Sequence, residues 1–196
     1  GFERFIQGRP YWEIPVLVQR LCGICPVSHH LAAAKAVDQL VGVDSLTPTA
    51  EKLRRLLHLG QTLQSHALHF FHLASPDLLF GFGSDARTRN IVGVAAANPT
   101  LALKGIGLRK YGQEIIRHIS GKRVHGTAAL PGGMNKALSP EARETLLSEI
   151  ETIIADSEIA LNIAKELYLS DREGSQTFAG RWRLGSACCG YDRPSR

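Results

Sequence analysis

Residues 47–76 read TPTAEKLRRLLHLGQTLQSHALHFFHLASP, and the helical pattern of the chain is strongest here. Apolar residues recur at spacings of three to five, which is typical of one face of a helix. Thr47 is a typical N-cap residue and Pro48 suits the first helical position, so we predict a long helix from there to about Pro76. The apolar residues that form this pattern are Leu53, Leu56, Leu57, Leu63, Leu68, Phe71 and Ala74.

Three other segments carry helix signals, each with a typical start or stop residue. The segment before Gly42 is rich in alanine, and Gly42 itself stands where a helix-terminating glycine belongs. Gly121 has the same position after the second segment, and Ser139-Pro140-Glu141 is a typical helix start for the third. These predicted helices cover residues 28–41, 100–120 and 139–169. The long helices together predict a mainly α fold, part of a long-helix bundle, with a minor β component.

The minor β component is expected near the start of the chain, where residues 14–18 form the apolar run IPVLV. Glycine and proline predict loop and turn over residues 76–98, and a glycine-rich turn over residues 126–133. Beyond about residue 171 the apolar periodicity fades. We therefore divide the chain into residues 1–171, one incomplete domain, and residues 172–196, an unassigned tail expected to be disordered or out of frame.

Composition excludes two classes of protein. The chain has 196 residues and a net charge of +5, of which residues 172–196 hold +3, so no basic stripe of the kind that binds nucleic acid is left in the remainder. No apolar run approaches the roughly 18 residues that a membrane span needs, so we predict neither a nucleic-acid partner nor a membrane span. Because the only methionine is Met134, we expect a piece of a longer protein.

The cysteines carry the first chemical signal. They lie in two pairs, and a secreted disulfide-stapled module would spread them along the chain, so free thiols in a reducing compartment are predicted. In Cys22-Gly-Ile-Cys25 the glycine permits a tight turn that can bring both thiolates to one soft metal. On the motif alone the pair is structural, a redox couple, or half of a metal site, with His29 and His30 as nearby candidate ligands.

A wider window of sequence resembles a known signature. Gly1-Phe2-Glu3, a spacer of fifteen residues, Gln19-Arg20-Leu21-Cys22-Gly23-Ile24-Cys25, and a histidine four residues later closely resemble the N-terminal signature of nickel–iron hydrogenase large subunits. Only the leading arginine of that signature is absent.

Two further segments resemble the same family. The run from His66 through His69 and His72 to Asp77 is similar to a family helix that ends at an aspartate near the metals, although helical packing or turn chemistry explains these residues too. The runs 25–30 and 125–133 look most like the cytoplasmic, bidirectional, NAD-linked branch. The resemblance covers residues 1–170 and implies the large-subunit fold.

The resemblance implies a role for each matching residue. Cys22 would be a terminal thiolate on nickel, and Cys25 would bridge nickel and an iron that carries carbonyl and cyanide ligands. Glu3 would bind a structural Mg²⁺, unless it is simply an exposed carboxylate.

The remaining matches concern residues that do not themselves bind the metals. Asp77 would order polar contacts where hydrogen is activated. His29 matches a histidine beside the cysteines, and Arg20 lies next to them in the motif, where its charge would favour a thiolate.

The resemblance also implies partners and a location. Electrons would pass to iron–sulfur clusters on a small subunit, then to flavin and NAD on diaphorase subunits, in a cytoplasmic assembly. Family members carry a second C-x-x-C, which Cys188-Cys189 does not match, so the chain alone is predicted to be inactive. Two alternatives stay open: a zinc-binding or thiol-redox module built on Cys22, Cys25 and His29, and a scaffold like the quinone-site subunit of complex I.

Overall fold

The computed structural model describes residues 1–170, which are mostly helical. The chain divides into two units, residues 1–154 and the residues from 155 onward. The helices are α1 (Phe2–Ile6), α2 (Ile14–Leu17), α3 (Pro26–Leu40), α4 (Pro48–Leu68), α5 (Ser75–Phe80), α6 (Ile91–Ala97), α7 (Pro99–Ser120) and α8 (Pro140–Ser170). Short 3-10 helices occupy Tyr11–Glu13 and Val18–Leu21, and β1 (Ala129–Leu130) pairs antiparallel with β2 (Gly133–Met134).

The long helices confirm the predictions made from their caps. The Thr47 side chain accepts a hydrogen bond from the Ala50 N–H at 3.3 Å at the start of α4. The Ser139 hydroxyl accepts one from the Ala142 N–H at 3.2 Å at the start of α8. Gly121 ends α7 in the left-handed region with φ 84°. These contacts satisfy backbone groups that helix ends leave unpaired, and the predicted mainly α fold is confirmed.

Two local predictions were wrong. Residues 14–18 are helical rather than extended: Pro15 lies in the first turn of α2, and a 3-10 helix follows at once. An apolar run of five residues does not by itself distinguish a strand from a buried helical turn. Residues 76–98 contain most of α5 and all of α6, which the Asn90 side chain caps by accepting from the N–H groups of Val92 and Gly93.

The predicted long helix of residues 47–76 changes its winding before it ends. Residues His69–Ala74 form a π-helix between α4 and α5. Pro76 has no N–H to donate to the preceding turn, and the Ser75 hydroxyl instead donates to the Phe71 carbonyl at 2.6 Å. The wider turn therefore lies directly before the proline, at a position where sequence periodicity predicted a continuous helix.

Helices α4 and α7 cross at a contact lined by glycine. A Cβ atom built on Gly112 would lie 2.6 Å from the Gly60 carbonyl oxygen and 2.8 Å from the backbone nitrogen of Gln64. A Cβ on Gly60 would lie 2.8 Å from the Ile115 side chain. The two backbones thus approach more closely than any side chain at these positions would permit, which places the residues of α4 next to Gly112 in a fixed position.

A buried ion pair, which we call the hairpin junction, connects α3, α4 and the β1–β2 hairpin. The guanidinium of Arg54 contacts the Asp38 carboxylate and donates to the carbonyls of Leu130 and Gly133 at 2.9 and 3.0 Å. The Gly132 N–H donates to Asp38 at 2.7 Å. Burial raises the pKa of Asp38, but the hydrogen bonds from Arg54 and Gly132 outweigh it and hold that pKa below its usual value. The predicted glycine-rich turn is therefore a hairpin anchored to two helices.

Membrane insertion finds no support in the described part of the chain. Over residues 1–170, no helix combines the length and apolar character that a membrane crossing requires. The predicted tail, including Cys188 and Cys189, lies outside the described residues.

Candidate metal centre

Cys22 and Cys25 lie in a short segment, the thiol loop (residues 19–25), which comprises the end of the 3-10 helix and the residues before α3. Cys22 has an extended backbone, with φ −145° and ψ 136°, and Cys25 is the N-cap residue of α3. The Cys22 sulfur accepts hydrogen bonds from the N–H groups of Ile24 at 3.3 Å and Cys25 at 3.2 Å. The backbone therefore turns around the first sulfur and directs two donors at it, an environment that favours a thiolate.

Three candidate ligands converge at this loop. The Cys25 sulfur lies 3.7 Å from Nε2 of His29, and the ligand atoms of Cys22, Cys25 and His29 lie within 4.8 Å of one another. All three residues are partly buried. Hydrogen bonds from the Cys25 thiol and its N–H lower the pKa of Cys22, whereas the contact with Cys22, together with burial, raises the pKa of Cys25. The Cys22 thiol therefore ionises more readily than the Cys25 thiol, which donates a hydrogen bond to the Cys22 sulfur.

Two glutamines of α4 hold the middle of the thiol loop. The side-chain amides of Gln61 and Gln64 both donate to the Ile24 carbonyl, at 3.0 and 2.6 Å. Both glutamines are buried. Gln64 is also the residue against which Gly112 packs. The close α4–α7 crossing therefore sets where this carbonyl is held.

Two histidines outside the loop contact it or the segments beside it, and one of them, His125, is about a hundred residues away in sequence. Nε2 of His125 lies 3.1 Å from the Gln19 carbonyl oxygen and 3.2 Å from that of Cys22. His30 is fully buried; its Nδ1 donates to the Pro15 carbonyl at 2.7 Å. Nε2 of His30 accepts from the N–H groups of Ala128 and Ala129, at 3.2 and 2.9 Å.

The protonation of His30 follows from these contacts. Because Nε2 is an acceptor and Nδ1 is a donor, the ring is neutral. Burial lowers the pKa of His30, and the charge of Arg54 lowers it further, although the Pro15 carbonyl opposes them. His30, which the sequence suggested as a candidate ligand, is thus a packing residue whose ring nitrogens are both occupied.

The other predicted site residues lie away from the cluster. Arg20, at the end of its 3-10 helix, and Glu3, in α1, are both exposed. Asp77 is partly exposed and forms an ion pair with Arg89, with Oδ1 and Nε 3.2 Å apart. Among residues 1–170 the clustered ligand atoms are those of Cys22, Cys25 and His29 alone. The structure therefore brings together three of the predicted residues.

The histidines of the π-helical region do not share one face. His66 and His69 are exposed and line a surface cavity of about 420 Å³ with Ser65 and Phe70. His72 is partly buried, and its Nδ1 has no hydrogen-bond partner. Burial, and then the charge of Arg109, lower the pKa of His72. His72, inside the π-helix His69–Ala74, is thus less exposed than the two histidines before it.

Gln61, Gln64 and the role of His125 were missed from the sequence. Each contacts the thiol loop from a position 37 to 106 residues away. The glutamines occupy an apolar-patterned helix, where a buried amide leaves no periodic signal. The nearest available signal was the histidine of the 125–133 run, which the family resemblance included without a role.

Comparisons with known proteins identify a family. The sequence profile of the nickel-dependent hydrogenase family matches residues 1–80. The chain is similar to the NAD-reducing hydrogenase HoxS subunit beta of Cupriavidus necator, 46% identical over 164 residues, which cover 81% of this chain and 34% of that protein. It is also similar to a subunit of the F420-non-reducing hydrogenase vhu of Methanococcus voltae, 45% identical over 188 residues, with 94% and 44% covered.

Solved structures show the same fold. An NAD⁺-reducing [NiFe]-hydrogenase in the H2-reduced state superimposes with a TM-score of 0.86 and 59% identity, covering 88% of this chain and 38% of that chain. The Ni-Fe-Se hydrogenase of D. vulgaris Hildenborough, 21% identical, shares the fold with a TM-score of 0.76, covering 88% of this chain and 38% of that one. The chain thus spans between a third and a half of the length of these relatives. It belongs to the nickel-dependent hydrogenase family and has, over the matched residues, the fold of the nickel–iron hydrogenase large subunit.

Proposed function

We propose that this chain is part of the catalytic subunit of a nickel–iron hydrogenase, an oxidoreductase that oxidises H2 or reduces protons. The observation that carries the proposal is the convergence of Cys22, Cys25 and His29 within 4.8 Å, on the loop where the family signature lies. The loop is held by two buried glutamines of α4 and by the half-buried His125.

The donor set fits the proposed metals. Thiolate sulfur suits nickel and iron, as it suits zinc. In the proposal Cys22 and Cys25 would hold the nickel, and Cys25 would also hold an iron that carries carbonyl and cyanide ligands. When bound, such a centre supplies a Lewis-acidic, redox-active site for heterolytic cleavage of H2.

The residues of this chain prepare the ligands for that centre. The two backbone N–H groups directed at Cys22 stabilise its thiolate form, which is the form that binds metal. His29, 3.7 Å from the Cys25 sulfur, can share a hydrogen bond with it and so orient the second ligand. The roles proposed for the cysteines thus match their different surroundings.

The outer residues keep proposed roles of their own. Glu3 is proposed as a ligand of a structural Mg²⁺, for which an exposed carboxylate is a suitable donor. Asp77 is proposed to order polar contacts near the metals, and Arg20 to favour the thiolate state by its charge. In residues 1–170 the carboxylate of Asp77 already has one cationic partner, Arg89.

The proposed partners follow from the relatives. Two of the similar proteins are named as NAD-reducing hydrogenases. We therefore propose flavin-containing diaphorase subunits that reduce NAD in the cytoplasm, together with a small subunit that carries iron–sulfur clusters. Because residues 1–170 bring two cysteines to the centre, the isolated chain is expected to lack activity.

A chimera tests the proposal. Residues 1–170 replace the matching segment of the Cupriavidus necator protein, and the assembled enzyme is assayed for nickel content and H2-dependent NAD⁺ reduction. We expect nickel incorporation and turnover, both abolished by Cys25→Ser because the bridging sulfur is lost. The exposed substitution Ser148→Ala is the matched control and should leave both unchanged.

Two results would contradict these expectations. A chimera that assembles with its partners but holds zinc, and shows no hydrogen oxidation, would support the zinc-binding alternative on Cys22, Cys25 and His29. H2-dependent dye reduction by the isolated 196-residue chain would contradict its expected inactivity.

A further inference from the structure

His125 contacts the thiol loop across more than a hundred residues of sequence. Its Nε2 lies within hydrogen-bond distance of two carbonyl oxygens, at 3.1 Å from Gln19 and 3.2 Å from Cys22. A carbonyl only accepts, so Nε2 must carry the proton and donate to both. One imidazole N–H therefore links the residue that enters the loop to the residue that carries its first thiol.

We propose that His125 is a positioning residue that fixes the orientation of the Cys22 thiol. The Cys22 carbonyl belongs to the peptide plane that leads into Gly23, and holding it limits the rotation of the backbone beneath the sulfur. The other contacts of Cys22 lie inside the loop: its N–H donates to the Gln19 carbonyl at 3.3 Å, and its sulfur accepts from Ile24 and Cys25. His125 is thus the contact that ties Cys22 to the rest of the fold.

The half of the thiol loop that carries Cys22 needs the hydrogen bond from His125. Gln61 and Gln64 hold the Ile24 carbonyl from α4, beyond the exposed Gly23. Glycine offers no side chain to restrain the chain between the two halves of the loop. Without His125 the Cys22 carbonyl would lose its hydrogen bond to a distant segment, and the first thiol would be held by the 3-10 helix before it and by short-range bonds within the loop.

His125 is itself held in an unusual conformation. Its φ of 53° lies in the left-handed region, where a residue other than glycine is disfavoured and needs support from its surroundings. The support comes from both sides. A Cβ on Gly126 would lie 2.2 Å from the Ser120 hydroxyl oxygen, and the following N–H groups of Ala128 and Ala129 donate to His30. The neighbouring residues thus hold the segment that carries the imidazole.

Metal binding is the first readout of the position of the Cys22 thiol, and this readout rests on the proposed function. Cobalt(II) is titrated into the 196-residue chain, and binding is followed by sulfur-to-cobalt charge-transfer absorption. In His125→Leu the apparent affinity should fall about 10-fold to 100-fold, as expected when a residue supporting a metal ligand is removed. His125→Gln, whose amide N–H can reach a similar position, should restore most of the affinity.

Controls separate positioning from folding. His118→Leu, on α7 outside the site, should bind cobalt like the unaltered chain, and thermal melting should show that each variant is folded. If His125→Leu does not fold, His125→Asn takes its place, since asparagine tolerates positive φ but its amide is too short to reach both carbonyls. Folded Asn and Gln variants with equal affinity would overturn the proposal, as would a folded Leu variant with unchanged affinity.

A second readout does not involve a metal. Hydrogen exchange of the Cys22, Ile24 and Cys25 amides reports how firmly the loop is held, because all three donate within it. His125→Leu should speed their exchange, and His118→Leu should not. Unchanged exchange would overturn the positioning role even if cobalt binds. Faster exchange in a chain that binds no cobalt would support His125 and count against the proposed metal function.

Discussion

The hairpin junction and the outer segment (residues 75–97, comprising α5, α6 and the loop between them) each contain an aspartate paired with an arginine. Asp38 at the junction is 9% exposed and joins two helices to the hairpin, whereas Asp77 in the outer segment is 43% exposed and joins α5 to the adjoining loop. Phe82 and Val92 of the outer segment are 70% and 75% exposed. The chain therefore secures the framework around the thiol loop by its own interior contacts but leaves the surroundings of Asp77 open.

The contrast between the two ion pairs is tested most directly by removing each carboxylate charge. Asp38→Asn leaves the buried guanidinium of Arg54 without a counter-ion and should lower the free energy of unfolding by about 3–5 kcal/mol. Asp77→Asn removes a partly exposed charge and should cost at most about 1 kcal/mol. Urea denaturation of both variants measures the difference. Equal losses would show that the junction does not support the fold as described.

The close crossing behind the thiol loop is tested by two glycines of α7. Gly112→Ala places a methyl group against Gly60 and Gln64 and should destabilise the chain by about 1–3 kcal/mol. Gly107 has no atom within 4 Å of its built Cβ, so Gly107→Ala should stabilise by up to about 1 kcal/mol through helix propensity. Both are measured by denaturation. A change in stability of the same sign for both substitutions would contradict the close approach of α4 and α7 at Gly112.

Acid should weaken the junction before any substitution is made. Because the folded-state pKa of Asp38 is lowered, its contribution is fully present above the pKa of the unfolded chain, about 3.9, and is lost as the pH falls through the folded-state value. The difference in unfolding free energy between the unaltered chain and Asp38→Asn should therefore be constant from pH 7 to 5 and shrink below about pH 4. Denaturation curves at each pH measure this difference, and one that grows in acid would contradict the assignment.

Local chemistry made part of the fold predictable. Thr47, Gly121 and Ser139 end or begin helices because their side-chain oxygens or positive φ satisfy backbone groups within three or four residues. The same locality explains the failures. The apolar run at 14–18 has the length of a strand or of a helical turn, and nothing within it decides between them.

The candidate site was predictable only where its residues are close in sequence. Cys22, Cys25 and His29 fall within eight positions, so their spacing and the family signature identified them. Gln61, Gln64 and His125 could not be found in this way, because a hydrogen bond to a backbone carbonyl has no preferred partner type at the other end and leaves no periodic pattern.

The amino-acid sequence by itself determined the four long helices, several of their caps, the family and the three candidate ligands, because each depends on residues near one another in the chain. Only the tertiary structure decided how the thiol loop is held, why α4 widens into a π-helix, and which carboxylate is buried. Those features arise where segments distant in sequence approach closely enough to exclude water. At such places a single N–H group, as in His125, or a missing Cβ, as in Gly112, determines which two segments can pack together.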